Sequence, residues 1–256
     1  MNMKKQIIIT AVLSALALAL PPAAFAGSAG VVPISPLALP AGPQAISGGI
    51  SSVSTSANSM SVDLSGNKSG NAAVVWKGGF DIGSAAFVTE NLAGTDTGTH
   101  AILNIDASGN PSQINGSLLS NANVWLANGN GVIFGPNANF VDMAPIGGGF
   151  GVIAGSVQNF DYASPTPLIA YKTTGAVTGT ISGSGPAATP FMLIVSGENV
   201  VNTGYVPNLS LFSQLPNSQY DVNVFNATSI ISEQNNQNNP PILATMYNPP
   251  IAGPQF

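Results

Sequence analysis

Residues Asn128–Phe140 read NGNGVIFGPNANF, short apolar beats separated by Asn, Gly and Pro. Glycine and asparagine adopt left-handed or tight-turn backbone at low cost. The stretch therefore reads as a corner, an inward strand at Val132–Phe134 and a second corner. Nothing in it can carry acid–base chemistry. It specifies a shape.

The same rhythm extends outward. Across residues 114–153 the beats SLL, VWLA, VIF, FVDM and FGVI recur about every seven to ten residues, with turn-forming Asn, Gly and Pro between them. Strands this short suit a sandwich or the faces of a coiled β-solenoid. The lack of the long regular alternation of hairpin strands favours the solenoid. Upstream, residues 46–66 and 72–90 are β-favouring runs broken by Gly and Asn, with Trp76, Phe80, Ile82, Phe87 and Val88 as core candidates. The nearest approach to a helical pattern, LLSNANVWLAN (118–128), has interior asparagines and no charge pairs, which argue against a helix. The polar segment KTTGAVTGTISGSGPAATP (172–190) reads as an excursion or hairpin on the outside.

Composition narrows the function classes. The chain has 256 residues, five lysines, no arginine, one histidine and no cysteine. Charged residues make up 6%, against roughly 25% in ordinary soluble proteins. The hydrophobic fraction of 45% suffices for a core, so low charge does not mean disorder. Lys4 and Lys5, an apolar run from Ile7 to Leu20 and Ala24-Phe25-Ala26 resemble an export signal cleaved before Gly27. Without that leader, three lysines face ten acids, giving a formal charge of −7 (3 minus 10). So few cations cannot track a phosphate backbone, which argues against nucleic acid as a partner. The expected organisation is a leader at 1–26, a Pro-rich lead-in or cap at 27–45, the β-domain at 46–231 and an Asn/Gln- and Pro-rich tail at 232–256.

At residues 110–140 the sequence resembles the secretion domain of filamentous-haemagglutinin-like exoproteins, the exported partners of two-partner secretion. The first matching block is Asn110, Pro111, Ser112, Ile114 and Gly116. The second is Asn128, Asn130, Gly131, Val132, Ile133, Phe134 and Gly135, with Gly129 where the family carries Pro. LPAGPQAISGGIS (39–51), VVWKGGFDIGSAAFV (74–88, with Trp76 and Phe80) and LIVSGENVVNTGYV (193–206) are similar to further blocks in the same order. The resemblance implies an all-β fold, a right-handed parallel β-helix with short extra-helical hairpins and irregular termini. It also implies hand-over to an outer-membrane transporter. In such a fold like charges would stack about 4.8 Å apart and repel, whereas Asn, Ser and Thr can form ladders. Absence of cysteine is compatible with crossing a pore in extended form.

Catalysis is not expected. Asp81, Glu90, Asp106, Asp142, Asp161 and Glu198 are scattered, His100 stands alone in a surface-loop context, and Gly147-Gly148-Gly149 lacks the Lys-Ser/Thr of a phosphate loop. No cofactor or metal is expected either. Two roles follow for an exported protein at the cell surface or beyond it. One is an adhesive or structural module with an unidentified host or matrix ligand. The alternative is a homopolymer, the subunit of an extracellular or biofilm fibre stacking end to end through its termini.

Overall fold

Short β-favouring runs punctuated by Gly and Asn become strands, and no helix occurs among the described residues. The computed structural model describes residues 32–94, 100–143, 149–161, 168–179, 182–184, 192–197, 200–202, 209–213, 219–223 and 230–231. The expected leader (1–26) and tail (232–256) lie outside them.

In chain order the strands are β1 (Pro43–Ser47), β2 (Gly49–Thr55), β3 (Ser59–Ser65), β4 (Ala72–Trp76), β5 (Phe87–Ala93), β6 (Ala101–Asp106) and β7 (Ser112–Ile114). Next come β8 (Ser117–Ser120), β9 (Asn123–Asn128), β10 (Val132–Phe134), β11 (Asn139–Asp142), β12 (Gly149–Ile153), β13 (Gly155–Asp161) and β14 (Leu168–Thr173). The last are β15 (Val177–Gly179), β16 (Ser182–Ser184), β17 (Met192–Gly197), β18 (Val200–Asn202), β19 (Leu209–Ser213), β20 (Gln219–Asn223) and β21 (Ile230–Ile231).

Four sheets result. A seven-stranded sheet runs β1-β4-β6-β9-β12-β17-β19 and a six-stranded one β16-β11-β8-β5-β3-β2. The four-stranded sheets run β18-β15-β10-β7 and β13-β14-β20-β21. Pairing is parallel from β4 to β19, from β16 to β3 and from β18 to β7. It is antiparallel at β1–β4, at β2–β3 and throughout the last sheet.

This corrects the expected right-handed parallel β-helix: the architecture is a mixed parallel and antiparallel β-fold. The links explain part of the difference. Three residues join β2 to β3 and six join β13 to β14, and connections this short return the chain antiparallel, whereas parallel neighbours need long crossovers. The expected outer hairpin at 172–190 is corrected as well. Its residues supply β15 and β16, which pair in parallel with β10 and β11. One buried residue, Val177, anchors β15.

Among the described residues two apolar clusters hold the sheets together. The larger gathers Val62, Leu64, Trp76, Leu118 and Phe140, among others, from the parallel strands, with Phe80 from the segment between β4 and β5. On β3, SMSVDLS alternates half-buried and buried positions, as one covered face requires. Strands β4, β9 and β12 instead read AAVVW, NVWLAN and GFGVI and are buried on both faces. Their second face meets the antiparallel sheet, where Ala73, Leu103, Trp125 and Ile153 pack with Ile169 and Tyr171 of β14. Gly151 stands beside Trp125 in register, and a Cβ there would run into the indole.

Gly151→Ala is therefore expected to destabilise the fold by about 1–3 kcal/mol through overpacking. In a Trp125→Ala background the same change should cost much less, because the ring it strikes is gone. Urea unfolding of the four chains measures that coupling, and equal costs in both backgrounds would contradict the packing described.

Candidate functional site

The residues singled out by sequence pattern fall at strand ends and in the corners that join them, in two groups. The first group lies beyond the ends of β4, β6 and β9. Register sets Trp76 beside Asp106 and Asp106 beside Asn128. Trp76 and Phe80 are fully buried and meet edge to face, with ring centroids 5.2 Å apart. The indole Nε1 donates to Asn104 Oδ1 at 2.8 Å, which gives the buried ring nitrogen its partner.

Asp106 is the hub. Its Oδ2 accepts the Phe80 amide at 2.9 Å and the Ser112 hydroxyl at 2.5 Å, and its Oδ1 accepts the Ser108 amide at 2.9 Å. Asn128 continues the chain of bonds. Its Nδ2 donates to Ser112 Oγ at 2.9 Å and to the Asn110 carbonyl at 2.8 Å, while its Oδ1 accepts the Asn130 amide at 2.8 Å. Ser112 and Asn128 are buried, and the half-buried Pro111 leads the chain into β7. Gly131 has φ of 98°, a left-handed conformation, and passes against the Ala176 carbonyl. Ser112 thus connects the two motif blocks, accepting from Asn128 and donating to Asp106.

The second group lies between β7 and β8 and between β10 and β11. Ile82 bridges Ile114 in parallel, the Asn115 amide donates to the Ile82 carbonyl at 2.7 Å and the Gly135 amide to the Ile114 carbonyl at 2.9 Å. A side chain at Gly116 would strike the carbonyls of Gly83 and Ala86. Gly135 lies against the Asn115 side chain in the same way. Phe134 packs edge to face on Phe140 at 5.7 Å.

Asparagines also hold the corners that lead into β4, β6 and β9. Asn71 Oδ1 accepts the Ala101 amide at 2.8 Å. Asn121 takes both the amide and the carbonyl of Leu92, at 2.8 and 3.0 Å. His100, expected in a surface loop, is half-buried: its carbonyl accepts both nitrogens of Asn123, and its ring packs where a Cβ on Gly70 would lie.

The carboxylates are placed for support. Asp81 accepts the Gln113 amide at 2.7 Å. Burial pushes its carboxyl up, the Gln113 bond opposes this, and neighbouring Asp106 adds to the rise. Half-buried Asp63 is held below the usual carboxylate range by hydrogen bonds from Ser52 and Asn91. Glu90 is different. It is fully buried in the interior, Asn104 Nδ2 donates to its Oε2 at 3.0 Å, and its Oε1 has no partner among the described residues. Trp76, Asn104 and Glu90 thus form one buried polar chain. Among the described residues no group of three or more His, Cys, Asp or Glu could hold a metal ion, and no helix is long and apolar enough to cross a membrane. Asp142, Asp161 and Gly149 lie in strands, while Glu198, Gly147 and Gly148 lie outside the described residues.

No family model matches the chain and no curated protein matches it significantly. The structure therefore assigns the motif residues by geometry: they fix corners. Sequence pattern alone missed Asn71, Asn104 and Asn121. The hub role of Asp106 was also missed, since its partner Phe80 lies 26 residues away. A polar residue at the end of an apolar strand, as in AILNID (101–106), is the signal that could have found it.

Glu90 gives this framework a pH dependence. Burial pushes its carboxyl from the ordinary 4.5 up to about 7, with the Asn104 bond opposing. Through that window the folded chain holds a proton that the unfolded chain has released, so stability falls as pH rises. The loss is on the order of 3 kcal/mol. Glu90→Gln carries no such proton. It should be more stable than the parent at about pH 8, with the difference closing towards about pH 4. Denaturant unfolding across that range checks this, and a difference independent of pH would contradict it.

Proposed function

We propose that this chain is an exported, non-catalytic module that serves an adhesive or structural role at the cell surface or outside the cell, in the manner the filamentous-haemagglutinin resemblance implies. One observation carries the reading. The polar side chains most characteristic of the sequence, Ser112 and Asn128 with Asp106, are buried and bonded to one another and to backbone. Groups committed in this way position turns, and they are not free to bind or transform a substrate.

The exterior supports the same reading. On the six-stranded sheet, register places Ser61 beside Thr89 and Thr89 beside Leu119. Hydroxyl, amide and isolated apolar groups of this kind suit contact with a surface better than acid–base chemistry. A transporter of the two-partner type is the proposed export partner, acting on the chain after the leader at 1–26 is removed.

Cells producing the intact chain are compared with cells producing it without residues 1–26. The intact chain is expected on the cell surface, where external protease removes it, and its producers should attach to a solid surface more than cells lacking it. An intact chain that stays inside the cell, or surface display with no change in attachment, would contradict the proposal.

A further inference from the structure

Edge strands expose a row of unpaired amides and carbonyls, and proteins guard them with charge, proline or a bulge. Two strands bound the parallel sheets at their N-terminal side. β1 begins with Pro43 and is interrupted by a register shift between Ala45 and Ser47. β2 is longer and less protected. Its seven residues, GISSVST, contain no charge and no proline. Its register shift falls between Ile50 and Ser52, so Ser52–Thr55 run in unbroken register against Asp63–Met60. Among the described strands β2 pairs only with β3, and Ser51–Thr55 are all exposed.

We propose that the free edge of β2 is an interface for a second copy of this chain, paired antiparallel about a two-fold axis at Val53. The sequence around Val53 is self-complementary under that operation. Val53 meets its own counterpart, Ser52 meets Ser54 and Ser51 meets Thr55, so apolar faces apolar and hydroxyl faces hydroxyl. No like charges oppose one another. The nearest carboxylate, Asp63, lies one strand further in and is held there by Ser52 and Asn91. Val53 is 41% exposed on a strand that is otherwise hydroxyl-rich, leaving an apolar group uncovered where the axis would pass. An unrelated strand could add to this edge, but nothing would require its residues to match this pattern. A second copy satisfies it without further assumption. The inference does not depend on the chain being exported or adhesive.

The test uses the full chain, which has no cysteine of its own. Val53→Cys should crosslink to a covalent dimer under mild oxidation far faster than Ala107→Cys, placed at an exposed position away from β2. Light scattering of the parent over a range of concentrations should show twice the monomer mass. Val53→Lys, which sets two ammonium groups together at the axis, should remain monomeric where the parent is a dimer, while keeping the parent's β-sheet circular dichroism. A parent that is monomeric throughout overturns the proposal. So does a dimer in which Val53→Cys crosslinks no faster than Ala107→Cys, since the interface would then lie elsewhere.

Discussion

Unshifted parallel register between β4, β6 and β9 brings Trp76, Asp106 and Asn128 side by side, and the corner that follows each must then accommodate its neighbour. Buried polar groups are costly unless bonded. Asp106 meets that requirement by taking the amide of Phe80 from one corner and the hydroxyl of Ser112 from its own. Asn128 meets it by reaching back to Ser112 and Asn110. Remove this exchange and each turn would be left with unpaired amides in the interior. The strands could still pair, but their ends would be held in step by backbone bonds alone, such as that from the Ala107 amide to the Trp76 carbonyl.

A second constraint comes from apolar sequence. Strands β4, β9 and β12 are buried on both faces, so the interior among the parallel sheets can cover only one of them. The antiparallel sheet containing β13 and β14 covers the other, with Ile169 and Tyr171 set against Leu103 and Trp125. The departure from an all-parallel fold is therefore tied to composition. Within the interior, Glu90 runs against the same economy of buried polar groups. It has one bond from Asn104 and one oxygen without a partner among the described residues, and it stays uncharged through a range in which an exposed glutamate would ionise.

Local chemistry was legible in the sequence; long-range pairing was not. NGNGVIFGPNANF gives the turn, short strand and turn that its Gly, Asn and Pro dictate, because those preferences act within a few residues. The absence of a helix at 118–128 followed from its asparagines, and Asn121 and Asn123 are now seen holding strand ends. The antiparallel sheet was hidden for a different reason. AAVVW and GFGVI identify buried strands but do not say what covers the second face. Likewise Asp106 and Glu90 look alike as scattered acids. One becomes a corner hub and the other a buried neutral acid only through residues brought in from other strands. Gly, Thr and Ser at 172–190 suggest an exterior hairpin because composition alone cannot distinguish a polar loop from three-residue strands such as β15, which is anchored by Val177.

Amide hydrogen exchange tests the central claim most directly, that side chains hold these corners as firmly as strand pairing holds the sheets. The amides of Phe80, Leu92, Ala101 and Asn130 have side-chain acceptors on Asp106, Asn121, Asn71 and Asn128. They are expected to be protected to the same degree as amides inside β4, β6 and β9, and to open with them. Rapid exchange at these four positions, with the amides in the middle of β4, β6 and β9 still protected, would mean that the corners and strand ends are held by something other than the network described.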